Sequence, residues 1–106
     1  MDFTITSEVV DKVAKLKLTG ELDSLSARDF QKEIEKVALE SPTELVLDLE
    51  NLSFMSSAGL RVLIFSKQKM GVGLTIYIVK PQEIIVDTLE KTGLQHSVNI
   101  VDQYPV

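Results

Sequence analysis

Two adjacent serines and a glycine stand at the start of an apolar segment, and their types and spacing suit chemistry. The run reads Phe54-Met55-Ser56-Ser57-Ala58-Gly59-Leu60, with Arg61 next. A helix starting here leaves N–H groups unpaired and carries roughly half a positive charge at its N-terminus, so an anion on Ser57 is tolerated. Arg61 lies one turn further on, where its guanidinium can approach a group on Ser57. Gly59 removes a side chain and lets another surface come close.

The same residues also have a structural and a catalytic interpretation. Serine is a favoured N-cap, so Ser56 or Ser57 can simply cap the helix. A serine hydrolase would use Ser57 as nucleophile, because Ser57-Ala58-Gly59 is the second half of the motif G-x-S-x-G. Met55, however, occupies the position of the first glycine, where the strained turn needs a minimal side chain. The only histidine, His96, is more typical of a surface residue than of the required base.

Two other glycine-containing segments could carry chemistry. The acidic run Gly20-Glu21-Leu22-Asp23-Ser24 fits turn and cap chemistry better than a paired-carboxylate active site, because no metal ligand or base accompanies it. Gly71-Val72-Gly73 lacks the lysine and the spacing of a phosphate-binding loop and predicts a helix stop followed by a turn.

Composition narrows the classes of function. The chain has 106 residues, 44% hydrophobic and 25% charged, which predicts one domain over residues 1–106. A net charge of -5 without a basic stripe disfavours direct nucleic-acid binding. The lack of cysteine and the single histidine exclude disulfides, thiol catalysis and zinc sites built on several such ligands. With no signal-peptide pattern and no long apolar run, we expect a cytoplasmic protein without membrane contact.

The first half of the chain predicts a hairpin, a helix and a central strand. Alternation in Phe3–Thr6 and Ala14–Thr19 is typical of two strands with one buried face each. Ser26-Ala27-Arg28-Asp29 has the form of a capping box, and apolar residues at helical spacing continue to about Glu40. Leu45–Leu49 is almost wholly apolar, as expected of a strand covered on both faces.

The second half predicts two helices, each followed by a strand. The first helix spans Ser57–Met70 and ends at Gly71 in a left-handed conformation, and a strand follows at Leu74–Val79. Pro81 suits the first turn of a third helix that reaches about Thr92, and the last strand is Val98–Val101. The order ββαβαβαβ predicts an α/β fold with a mixed, mostly parallel sheet of about five strands.

Three segments together resemble a known family over essentially the whole chain. They are Leu18-Thr19-Gly20-Glu21-Leu22-Asp23, the strand Leu45–Leu49, and the run from Leu52 to Leu63 that contains both serines. In this order and spacing they closely resemble the STAS domain of bacterial anti-sigma factor antagonists. The resemblance implies a regulator that binds a serine kinase acting as anti-sigma factor or switch protein. Phosphorylation of a loop serine breaks that complex, and a metal-dependent serine phosphatase resets it.

The resemblance also assigns roles to residues. The phosphorylated residue falls on Ser57, and the partner-binding surface falls on Asp23, Ser56, Ser57, Ala58, Gly59 and Arg61. Some members have aspartate immediately before the acceptor, whereas this chain has Ser56, which is therefore a second candidate acceptor. No catalytic residue, metal or cofactor is implied. Two alternatives remain: a scaffold that binds a switch kinase with an output outside transcription, and hydrolysis through Ser57.

Overall fold

The chain opens with a long antiparallel hairpin. In the computed structural model, which describes residues 2–71 and 73–105, strand β1 (Thr4–Val10) pairs with β2 (Val13–Leu22). Asp11 and Lys12 at the turn have φ of 52° and 68°, the positive values that a two-residue type I′ turn requires. The predicted hairpin is confirmed.

Helix α1 (Ser26–Ala38) follows the hairpin and presents its buried apolar face to the core. It ends slightly before the expected Glu40, because Leu39 and Glu40 donate to the carbonyls of Lys36 and Val37, three residues back, at 3.3 and 3.1 Å. Such bonds tighten the last turn into 3₁₀ geometry.

Four more strands and two more helices complete the domain. They are β3 (Glu44–Asp48), β4 (Leu52–Met55), α2 (Ser57–Met70), β5 (Thr75–Val79), α3 (Glu83–Thr92) and β6 (Asn99–Val101). The strand order in the sheet is β1-β2-β3-β5-β6, with β4 paired to β2 beside β3. Every pairing except the hairpin is parallel. The α/β class and the mixed, mostly parallel sheet are therefore confirmed.

The strand count differs from the expected five, because β4 makes a sixth. Leu52 and Met55 are buried while Ser53 and Phe54 are exposed, so the segment lacks the alternation by which a strand is recognised. It pairs with β2 across a register shift between Gly20 and Glu21. Such a bulge bends a strand.

The ends of three helices and strands also differ from those that the sequence predicts. Gly71 ends α2 with φ 91° and ψ 173°, a positive φ but not a left-handed helical turn, and Val72 lies outside the described residues. Pro81 precedes α3, whose N-cap is Gln82, instead of lying in its first turn. The last strand begins at Asn99, one residue later than expected.

All three helices pack on one face of the sheet. A single apolar cluster joins them to the inward residues of β2, β3 and β5; its members include Phe30, Ile34, Leu60, Leu63, Ile85, Leu89, Leu16, Leu45, Leu47, Ile76 and Ile78. Alternate residues of the strands, such as Lys15 and Lys17, point to the opposite side. The result is a two-layer domain whose loops gather at the ends of the sheet.

Candidate functional site

The carboxyl ends of β2 and β4 meet at one edge of the sheet. Leu22 is paired with Met55, and the next main-chain N–H, that of Ser56, donates to the Leu22 carbonyl at 2.8 Å. The chain continues from these two points into Asp23 and Ser57. The structure therefore brings together two residues that are more than thirty positions apart, as the resemblance led us to expect. We call the surface formed by Asp23, Ser56, Ser57, Ala58 and Arg61 the switch edge.

Ser56, and not Ser57, caps α2. Its backbone is extended, with φ -80° and ψ 170°, and its hydroxyl oxygen accepts the N–H of Gly59 at 3.3 Å. Its carbonyl accepts the N–H of Leu60 at 3.1 Å, which closes the first turn. Ser56 is half-buried and engaged in this cap.

Ser57 is the first residue of α2 and is exposed. Within residues 2–71 and 73–105 no hydrogen bond holds its hydroxyl. The first turn of α2 contains no acidic residue, and Arg61 is exposed on the helix four residues further on. The hydroxyl of Ser57 is thus accessible, and a negative charge placed on it would meet the helix N-terminus and a guanidinium.

Gly59 is buried, and the reason for a glycine there differs from the one expected. A Cβ at this position would lie 2.7 Å from Leu22 Cδ2 and 3.1 Å from Met55 Cγ. The missing side chain therefore allows α2 to pack closely on β2 and β4, and it does not clear space for an approaching surface. Gly59 lies beneath the switch edge and supports it, and its place on the partner-binding surface stays a prediction.

Asp23 organises the turn that leads into α1. Its Oδ1 accepts the N–H of Leu25 at 3.0 Å and that of Ser26 at 2.8 Å. The N–H of Ser26 lowers the pKa of Asp23 most, and the Ser26 hydroxyl and the N–H of Leu25 lower it further. The carboxylate is therefore charged at neutral pH. Among the described residues, every hydrogen bond to the Asp23 carboxylate is made to Oδ1, which leaves Oδ2 for solvent or a partner.

The N-terminal cap of α1 is therefore not the expected Ser26-to-Asp29 box. Ser26 is already helical, and its buried hydroxyl lies 2.9 Å from both the Glu21 carbonyl and Asp23 Oδ1 while accepting the N–H of Asp23 at 2.9 Å. The carboxylate that accepts the first N–H of the helix, that of Ser26, belongs to Asp23, three residues earlier. One residue thus combines a structural bond network with an exposed charge at the switch edge.

Two large apolar side chains near this edge were missed by sequence reasoning. Leu25, two residues after Asp23, is 73% exposed, and Phe54, two residues before Ser56, is 42% exposed. Phe54 is the strand partner of Glu21, so it belongs to the same junction of β2 and β4. The sequence signal for the exposure of Leu25 is that this residue precedes α1 and is not part of its buried apolar stripe. Leu25 and Phe54 are therefore exposed for contact with a partner at this edge.

The described residues offer little support for a hydrolase. His96 is exposed in a 3₁₀ turn (Leu94–His96) between α3 and β6 and makes no hydrogen bond to Ser57. In the part of the chain that the structure covers, no group of three His, Cys, Asp or Glu side chains could hold a metal ion.

No helix found in residues 2–71 and 73–105 is long and apolar enough to cross a bilayer.

The fold and the switch edge define a small two-layer α/β domain with an exposed serine at the start of its second helix. Residues 4–104 match the family model described as the STAS domain. The chain belongs to the STAS domain family, as the sequence resemblance indicated.

Relatives and solved structures agree with this membership. The chain is 31% identical over 93 residues to the anti-sigma-F factor antagonist RsfB of Mycobacterium tuberculosis, covering 86% of this chain and 76% of RsfB. The crystal structure of an anti-sigma factor antagonist from Mycobacterium paratuberculosis has a TM-score of 0.86 and 26% identity, covering 97% of this chain and 88% of that one. Phosphorylated SpoIIAA from Bacillus shares the fold, with a TM-score of 0.69 and 20% identity over 93% of this chain and 90% of its own.

Proposed function

We propose that this protein is an anti-sigma factor antagonist that acts by partner switching. Unphosphorylated, it binds an anti-sigma factor that is also a serine kinase, and phosphorylation of Ser57 releases it. The observation that carries the proposal is the exposed, unengaged hydroxyl of Ser57 beside the Asp23 turn at one edge of the sheet. Relatives named as anti-sigma factor antagonists support the same class of function.

The choice of Ser57 over Ser56 as acceptor follows from the hydrogen bonds of the two serines. The Ser56 hydroxyl accepts the N–H of Gly59 and is half-buried, so modifying it would remove the cap of α2. Ser57 makes no such contribution and faces solvent. A kinase can therefore transfer a phosphoryl group to Ser57 while the helix start stays intact.

The partner-binding surface combines the switch edge with the two exposed apolar side chains. Leu25 and Phe54 supply exposed apolar area that is removed from water when the partner binds, and this burial is the main favourable contribution in most protein–protein association. Asp23 and Arg61 supply charges of opposite sign that fix the orientation of the partner.

Release depends on charge and bulk at the interface, with the domain still folded. A phosphate carries about -1.5 to -2 charges. On the free domain the helix N-terminus and Arg61 favour it, the dipole by about 0.3–1 kcal/mol. Inside the complex the same group is desolvated beside the ionised Asp23, and an uncompensated charge at an interface costs about 2–5 kcal/mol. About 1.4 kcal/mol corresponds to tenfold in affinity, so we expect a loss of at least one order of magnitude.

The protein itself catalyses nothing in this proposal and works in the cytoplasm. A metal-dependent serine phosphatase removes the phosphate and returns the domain to its binding form. The metal belongs to the phosphatase.

The experiment is affinity capture from the native cell extract with wild-type protein and with Ser57→Asp, followed by identification of bound proteins. A kinase-like partner that is captured by the wild type, lost with Ser57→Asp, and also binds a sigma factor supports the proposal. A captured kinase that binds no sigma factor would instead support a scaffold with another output. Phosphate mapping after incubation with that kinase and ATP then decides between Ser57 and Ser56.

A further inference from the structure

Ser24 lies in the acidic turn between β2 and α1, at the same edge of the sheet as Ser57. The main-chain N–H of Ser56 donates to the carbonyl of Leu22 at 2.8 Å. Ser24 follows Leu22 by two residues and Ser57 follows Ser56 by one, and each such step spans only about 3.8 Å between Cα atoms. The hydrogen bond therefore holds the two serines on one surface.

The hydroxyl of Ser24 is as accessible as that of Ser57. Ser24 is exposed, and within residues 2–71 and 73–105 its hydroxyl makes no hydrogen bond. The other serines near this edge are engaged. The hydroxyls of Ser26 and Ser53 donate to main-chain carbonyls at 2.9 and 3.0 Å, and Ser56 caps α2. Among the described serines near this edge, Ser24 and Ser57 are thus the two with unengaged, exposed hydroxyls.

An exposed arginine follows each of these two serines by four residues. The carbonyl of Asp23 accepts the N–H of the residue four positions later at 2.9 Å, so the chain already winds as a helical turn around Ser24. Arg28 is exposed one turn beyond Ser24, as Arg61 is beyond Ser57. This spacing allows a guanidinium to approach a phosphate on either serine.

We propose that Ser24 is a second phosphoryl acceptor for the kinase that modifies Ser57, an inference that rests on the proposed function. In the transfer, the Ser24 oxygen bonds to the γ-phosphorus of ATP, the bond from that phosphorus to the β,γ-bridging oxygen breaks, and ADP leaves. The hydroxyl proton goes to a base of the kinase. A kinase bound at the switch edge reaches both hydroxyls from one docking position.

A phosphate on Ser24 places a new charge directly beside Asp23. On the free domain water screens the two charges from each other, and Arg28 offsets the phosphate. In the complex the phosphate is enclosed next to the ionised Asp23, where like charges weaken binding. Phosphorylation of both serines therefore releases the partner more completely than phosphorylation of one.

The test is incubation with the captured kinase and ATP, followed by intact mass measurement and phosphopeptide mapping. We expect two phosphates on the wild type, one on Ser57→Ala, one on Ser24→Ala and none on the double variant. Ser97→Ala is the matched control. Ser97 is also exposed, and its hydroxyl has no hydrogen bond among the described residues, but it precedes β6 at the opposite edge of the sheet. This control should take up two phosphates.

Each outcome separates the two proposals. Phosphate on Ser57 with none on Ser24 would overturn this inference and leave the proposed function in place. No captured kinase, or no phosphate on either serine, would overturn both. Loss of one phosphate in Ser97→Ala would show modification of exposed serines regardless of place and would also overturn the inference.

An affinity measurement tests the consequence for the partner. Ser24→Asp in a Ser57→Ala background should weaken partner binding about tenfold, because it adds a charge beside Asp23. Ser97→Asp in the same background should bind as Ser57→Ala does. Equal affinities for the two aspartate variants would contradict a role of Ser24 in release.

Discussion

The main-chain N–H of Ser56 donates to the carbonyl of Leu22 at 2.8 Å, and this bond joins the two turns of the switch edge. It extends the parallel pairing of β2 and β4 by one residue beyond Leu22 and Met55. The acidic turn and the serine at the start of α2 consequently share one rigid foundation. A partner that contacts Asp23 therefore lies within reach of Ser57.

The first prediction concerns the packing beneath this foundation. Gly59→Ala should lower the free energy of unfolding by about 1–2 kcal/mol, because overpacking against Leu22 outweighs the gain in helix propensity. Chemical denaturation measures the change. Gly73→Ala is the control, because a Cβ there meets nothing within 4 Å.

A double variant tests the cause of that loss. In a Leu22→Ala background the cavity has room for the new methyl group, so Gly59→Ala should cost less than it does in the wild type. Additive losses would contradict a steric origin.

The second prediction concerns the charge of Asp23. Asp23→Asn keeps an oxygen for the N–H groups of Leu25 and Ser26 but removes the charge, so it should lower stability at neutral pH. The folded pKa of Asp23 lies below the ordinary value of 3.8, so this stabilisation is present above pH 3.8 and is lost as the pH falls through the folded pKa. Denaturation of both proteins at neutral and acid pH measures the difference, which should shrink in acid. A difference that stays constant would refute the assignment.

The third prediction concerns the contact between the exposed side chain of Leu25 and the partner. Leu25→Ser should weaken partner binding by about tenfold or more, because full burial of a leucine side chain contributes about 1.5–3 kcal/mol, while stability changes by less than about 0.5 kcal/mol. The matched control is Leu39→Ser, since Leu39 is 84% exposed just beyond the C-terminus of α1. Calorimetric titration with the captured partner compares the three proteins. Equal losses for both variants would mean that Leu25 has no particular place in the interface.

The fourth prediction concerns Tyr104 at alkaline pH. Tyr104→Phe removes the hydrogen bond to Glu44 and should destabilise the protein at neutral pH. The folded pKa of Tyr104 is raised from 10.0 to about 12, so the stabilisation is complete below pH 10 and disappears as the pH rises through about 12. Denaturation of wild type and variant across this range should show the two curves converging. The difference in ultraviolet absorbance between wild type and Tyr104→Phe separates the phenol of Tyr104 from that of Tyr77, and an ionisation of Tyr104 at its ordinary pH would contradict the hydrogen bond.

Helix α2 and the hairpin were predictable because their signals are local. A serine cap, an apolar segment and Gly71 delimit α2 at the predicted residues, and alternation marks the two strands of the hairpin. Strand β4 was not predictable from periodicity, since its two buried residues stand three positions apart.

Some features of the candidate site were likewise predictable from the sequence, and others were not. The roles of Ser57 and Asp23 follow from the family resemblance, which places both residues on one partner-binding surface. The side toward which Gly59 packs depends on β2 and β4, and no local pattern encodes it. Likewise, Asp23 binds the N–H of Ser26, the first residue of α1, while the hydroxyl of Ser26 bonds backward into the turn.

The measurement that tests the central claim determines partner affinity and melting temperature together for four proteins: wild type, protein phosphorylated on Ser57, Ser57→Asp and Ser57→Ala. We expect phosphorylation to reduce affinity at least tenfold, which corresponds to about 1.4 kcal/mol, with the melting temperature essentially unchanged. Ser57→Asp should lose part of the affinity, because it carries less charge, and Ser57→Ala should bind as well as the wild type. Equal affinities across the four proteins would contradict the switch, and a phosphoprotein that binds weakly only because it has unfolded would contradict a mechanism based on interface charge.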